Sequence, residues 1–146
     1  MCAQHVASVV ALLIGLASLP GSAQTQARPS LKCTPAIARP DDTLRIEMPT
    51  PHGDYLIIVA PNGGQFFIIY PNPDPHMASL VDSREFATMA TFSARLDSIR
   101  GWSWAVGSDS LQLPFRAPGT YEIVVAANWE TDQATDVRRC QLRYRP

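Results

Sequence analysis

At 146 residues, the chain has room for one domain, since domains commonly run to about 100–200 residues. Twelve basic and thirteen acidic side chains leave a formal net charge of −1, and eleven of the twelve bases are arginine, Lys32 being the exception. A near-neutral chain lacks the cationic excess that nucleic-acid binding requires, so no nucleic-acid partner is expected.

From Val6 to Leu19 the chain runs 14 residues without a charge. That is short of the roughly 20 residues a helix needs to span a bilayer, but it suits the apolar region of a signal peptide. Pro20 and Gly21 then break any helix, and Gly21, Ser22 and Ala23 are the small residues a signal peptidase accepts. The expected signal peptide is 1–23, with Ala27 as the alternative cut and no stable membrane span afterwards. The stretch before Val6 holds only His5 and the amino terminus as cationic groups. Cys2 precedes the apolar run instead of closing it, so a lipid anchor on a cysteine is not expected. A periplasmic or secreted destination follows, and there the two remaining cysteines, Cys33 and Cys140, are expected to pair.

Residues 24–31 are polar and contain a proline, so they read as a flexible leader to a domain at 32–146. Thr43–Met48 alternates Leu44, Ile46 and Met48 with Thr43, Arg45 and Glu47, the pattern of a strand with one wet face. Tyr55–Ala60 and Gln65–Tyr70 flank Pro61-Asn62-Gly63-Gly64, a hairpin signal. Their central residues are apolar at successive positions, so this hairpin must be covered on both faces or be sticky. The prolines at 71, 73 and 75 then dictate a rigid loop. Phe86–Ala94 fits a strand or a short helix, and the strand is favoured. Trp102–Val106 and Leu111–Phe115 read as short strands, Tyr121–Ala127 as a strand rich in β-branched residues, Asn128–Arg138 as a polar loop, and Cys140–Tyr144 as the closing strand. The count implies an all-β fold, a sandwich of about 7–9 strands.

Arg116–Val125 (RAPGTYEIVV) resembles the penultimate strand of bacterial immunoglobulin-like domains, which enter it through a Pro-Gly-Thr-Tyr turn. The resemblance covers about ten residues closely and the last thirty loosely. It implies an Ig-like β-sandwich in which the Tyr121 hydroxyl bonds back to the nearby chain. It further implies that the first and last strands lie side by side, so that Cys33–Cys140 links them instead of spanning the sandwich. Ile123 stands where antibody-type domains carry a core cysteine, and no Trp occupies the expected central strand. An architecture is implied, and no function with it.

Candidate chemistry is sparse. His52 and His76, with Met77 and also Met48 and Met89 as soft partners, are the residues that could hold copper, although His52-Gly53 reads as an exposed turn. Glu130, Asp132 and Asp136 share one loop that could hold calcium or simply be solvated. Nothing resembles a nucleophile elbow, so neither catalysis nor a cofactor is expected. Trp102 and Trp104 would share a face of one strand, either filling the core between the sheets or forming a platform, and Trp129 sits on the terminal loop. The expected role is therefore non-catalytic binding or structural interaction with a protein or glycan, through Trp129, Trp102 and Trp104. Two alternatives are a small copper-handling protein and an inhibitor-type binding module.

Overall fold

The computed structural model describes residues 30–72, 79–103, 111–129 and 133–146. The expected signal peptide, His76, Met77, Trp104, Glu130 and Asp132 lie outside the described residues. In chain order the strands are β1 (Lys32–Thr34), β2 (Ile37–Ala38), β3 (Thr43–Glu47), β4 (Tyr55–Val59), β5 (Gln65–Ile69), β6 (Thr91–Arg95), β7 (Gly119–Ala127) and β8 (Thr135–Tyr144). One helix, α1 (Ser83–Phe86), precedes β6, and a 3₁₀ turn at Leu96–Ser98 follows it. No helix among the described residues is long and apolar enough to cross a membrane.

Two sheets form, ordered β1-β3-β6 and β2-β8-β7-β4-β5. All pairings are antiparallel except β2 with β8, which is parallel. The core between the sheets takes alternate residues from each: Leu44, Ile46 and Phe92 from one, Leu56, Ile58, Ile123, Val125 and Leu142 from the other. The three-stranded sheet turns Thr43, Arg45, Ser93 and Arg95 outward to water, as the alternation in the sequence requires.

Several local expectations need correction. Leu31, assigned to the flexible leader, is 5% exposed and belongs to the core. The segment from Phe86 to Ala94 is neither one strand nor one helix. Asp82 caps α1 by accepting from the Arg84 and Glu85 amides (2.8 and 3.3 Å), and Phe86 then buries as an anchor before the chain extends into β6. Leu111–Phe115 is not a strand: only Gln112 bridges, to Gly101, and Pro114 has no amide donor with which to extend the ladder. β8 starts at Thr135, well inside the expected polar loop.

The hairpin between β4 and β5 closes over Pro61-Asn62-Gly63. Gly63 takes φ +84°, its amide donates to Ala60 O (2.9 Å), and the Ala60 amide donates to Gly64 O (2.8 Å). At the entry to β7 the Tyr121 hydroxyl donates to Ala117 O (2.9 Å) and accepts from the Arg116 and Ala117 amides (both 3.3 Å). That triple contact pins the turn to the strand it feeds, while the Tyr121 ring stacks at 4.7 Å from Phe115.

Cys33 and Cys140 form a disulfide, with Cα atoms 5.9 Å apart. It joins the first strand to the last, but the two are not neighbours in one sheet as expected. β1 pairs with β3, whereas β8 pairs with β2 and β7, so the bridge ties one sheet to the other. The reason is the break after Thr34, where Pro35 ends β1 and the chain crosses to pair with β8 as β2. Closing a separation of 107 residues, the bridge removes much loop entropy from the unfolded chain. Cys140→Ser should therefore lower the unfolding free energy by about 2–5 kcal/mol in chemical denaturation. An unchanged midpoint would mean the sheets hold together without the bridge.

Candidate functional site

Successive residues of an extended strand point to opposite faces, so a strand apolar at every position must be covered twice. β4 reads Tyr-Leu-Ile-Ile-Val and β7 contains Ile-Val-Val-Ala-Ala. Leu56, Ile58, Ile123 and Val125 point into the core between the sheets. Tyr55, Ile57, Val124 and Ala126 point the other way, and with Phe67 and Tyr70 they make a second, separate apolar cluster on the outer face of the five-stranded sheet. Of the two expectations for the hairpin, cover on both faces or a sticky surface, this cluster corresponds to the first.

Trp102, Trp129, Val59 and Val137 pack against it. Trp102 reaches the face through an antiparallel bridge to Phe67, with its amide donating to Phe67 O (3.0 Å), the Phe67 amide donating back (2.8 Å), and ring centroids 6.1 Å apart. Gly101 allows this approach, because a Cβ there would stand 2.6 Å from Ile68 Cδ1. Trp102 therefore does not fill the core between the sheets. It covers the free edge of β5 and is itself partly buried.

Trp129 arrives from the far side. β7 ends at Ala127, next to Tyr55, whereas Gln65 opens β5 at the opposite end of β4. Trp129 Nε1 nevertheless donates to Gln65 Oε1 (3.2 Å). The chain after β7 must fold back across the sheet, and Asn128 makes the turn at φ +53°. The indole lies over the apolar face with its polar edge tied to an exposed amide. The structure thus brings Trp102 and Trp129 onto one cluster, on strands the sequence marked only as apolar.

The loop is less open than its polar composition suggests. Arg138 is 10% exposed at its side chain and holds Asp136 through both carboxylate oxygens (3.1 and 3.2 Å). It also donates to Pro49 O (2.7 Å) and Pro51 O (3.0 Å), clamping the β3–β4 connection to β8. With its carboxylate taken by Arg138, Asp136 is a poor calcium ligand. Sequence reasoning missed this clamp, as it missed Gln65, because nothing local marks an arginine whose partners lie 87 and 89 residues away.

His52 is buried at 7% exposure, contrary to the exposed turn expected. Its Nδ1 faces Gly53 O at 2.7 Å and its Nε2 faces Met89 O at 2.8 Å, so neither nitrogen turns a lone pair toward an open site. Phe86 packs edge-on to the ring at 5.0 Å. Gly53 follows because a Cβ there would fall 1.9 Å from the Ala126 carbonyl carbon. His52 is a structural cross-link between two connections. Met48 is buried in the core between the sheets, and no group of three His, Cys, Asp or Glu among the described residues could hold a metal.

Titration shifts fall elsewhere. The hydrogen bond from Arg95 holds the exposed Asp97 carboxyl below its usual range, and burial raises the Tyr144 phenol. Neither group belongs to the cluster beneath Trp102 and Trp129. No protein-family model, curated protein or solved structure matches the chain.

His52→Ala removes a buried ring whose N–H serves the Gly53 or the Met89 carbonyl and should cost about 1–3 kcal/mol in urea unfolding. His52→Gln, which retains one donor, should recover part of that. Equal stability in all three proteins would contradict the cross-link.

Proposed function

We propose that the chain is an exported immunoglobulin-like β-sandwich that acts by binding a protein or glycan, with no chemistry of its own. The observation that carries the reading is the second apolar cluster with Trp129 laid across it. A single-core fold of this size needs one buried interior; the second cluster is itself buried, and the partly exposed Trp102 and Trp129 packed on it are the aromatic groups a partner would reach. Gln65 and Trp129 set one hydrogen-bonding amide beside one indole, a pairing suited to a sugar ring or to a partner's main chain.

The immunoglobulin-like reading draws support from the two strand orders, from the division of the first extended segment between both sheets, and from the Tyr121 hydroxyl bonded to Ala117. Export draws support from the apolar segment at Val6–Leu19 together with the Cys33–Cys140 bridge. The copper-handling alternative has lost His52, whose ring nitrogens both face carbonyls.

The test pairs wild type with Trp129→Ala against arrays of purified oligosaccharides and exported proteins. The substitution should weaken the best ligand by more than about 2 kcal/mol, roughly thirty-fold, measured at a temperature where both proteins remain folded. A destabilised variant that binds as well as wild type would assign Trp129 to the fold alone.

A further inference from the structure

The open edge of β6 points to self-association, and we propose that two copies of this chain pair antiparallel through β6 about a two-fold axis at Ser93. The sheet edges are not equivalent. β1 is three residues long and stops at Pro35, β2 is two residues long and lies between Pro35 and Pro40, and β5 is covered by the Trp102 bridge to Phe67. β6 runs five residues, Thr-Phe-Ser-Ala-Arg, with no proline and, among the described residues, no strand on its outer side.

The register of β6 on β3 determines which groups face out. Pairs run Glu47↔Thr91, Ile46↔Phe92, Arg45↔Ser93, Leu44↔Ala94 and Thr43↔Arg95. The Met48 amide donates to Ala90 O (2.9 Å) and the Leu96 amide to Asp42 O (3.0 Å), so the even-numbered residues of this stretch bond to β3. The main-chain groups of Thr91 and Ser93 and the Arg95 amide therefore point to the open edge. The Arg95 carbonyl is already engaged by Ile99 N (3.2 Å) and Ser98 Oγ (2.8 Å), which ends the ladder there.

Centred on Ser93, antiparallel pairing matches those groups to themselves. Ser93 meets Ser93 of the second copy in a reciprocal pair, and each Arg95 amide meets the opposite Thr91 carbonyl, giving four main-chain hydrogen bonds. On the inner side Phe92 of one copy comes opposite Ala94 of the other, a large residue against a small one, extending both cores. On the outer side each Arg95 enters the cross-strand row of the other copy's Thr91 and Glu47. Glu47 sits there with its side chain 43% exposed, beside a groove lined by Lys32, Pro49, Ala90 and Thr91. Opposite charges thus share a row at both ends, with Arg95 held by Asp97 and Glu47 by Lys32 and Arg45 in each copy. A second copy suits this edge through its own register and its own charges.

Light scattering during size exclusion, run over a concentration series, tests the pairing. Wild type should approach twice the mass of one chain as concentration rises. Ser93→Lys places two ammonium groups across the axis and should return the protein to monomer with its circular dichroism unchanged. Ser93→Cys should cross-link under mild oxidation, because reciprocal pairs put Cα atoms about 5.5 Å apart, within disulfide reach. Peptide mapping should then find position 93 of both copies linked, at a rate well above that of Thr120→Cys, which lies exposed on the other sheet. A wild type that stays monomeric throughout, a dimer untouched by Ser93→Lys, or equal cross-linking of the two cysteine variants would each overturn the proposal.

Discussion

Two strands buried on both faces organise this molecule. β4 and β7 pair along their length in the middle of the five-stranded sheet, and between them they feed both apolar clusters. A two-layer fold ordinarily buries one side of each sheet and wets the other. Here the three-stranded sheet obeys that rule, and the five-stranded sheet breaks it. Everything distinctive about the outer face follows. Trp102 must cover the edge at Phe67, the chain after β7 must fold back so that Trp129 can lie on the cluster, and Arg138 must hold the base of that return to the Pro49–Pro51 connection. The energetic scale is that of any apolar burial, about 25 cal/mol for each Å² removed from water. Side chains that could have been polar have instead been spent on a second interior.

How much of this was legible beforehand depends on the range of the interaction concerned. Alternation in Thr43–Glu47 is local, and it placed Leu44 and Ile46 inside and Arg45 outside correctly. The continuous apolar runs in β4 and β5 are equally local, and they announced that two faces would need cover. What supplies the cover is not local. Trp129 and Gln65 are 64 residues apart, and His52 meets the Met89 carbonyl across 37. Without the fold, a histidine beside a glycine reads as a turn, and a tryptophan beside a polar stretch reads as a loop. Boundaries failed for a related reason: α1 runs only from its Asp82 cap to the buried Phe86, too short for a periodicity to register.

The disulfide shows the same division. An even cysteine count was enough to expect the pair, while the sheets it joins were decided by Pro35, which ends one strand and sends the next to the opposite layer. Because the bridge connects layers, the two sheets are held at that end by a covalent tie and elsewhere by side-chain packing. The outer cluster gains nothing directly from it. That separation lets the face around Trp129 be read as a surface put to use, whereas the interior accounts for the fold.

The account stands or falls on whether Trp129 lies across the outer sheet face in solution. Nuclear Overhauser spectroscopy on labelled protein measures this without any ligand. The arrangement predicts cross-peaks from the Trp129 indole ring to the Val59 and Ile57 methyls, and from the indole N–H to the Gln65 side-chain amide. An indole with no contact to β4 or β5 would leave the second cluster uncapped and contradict this arrangement.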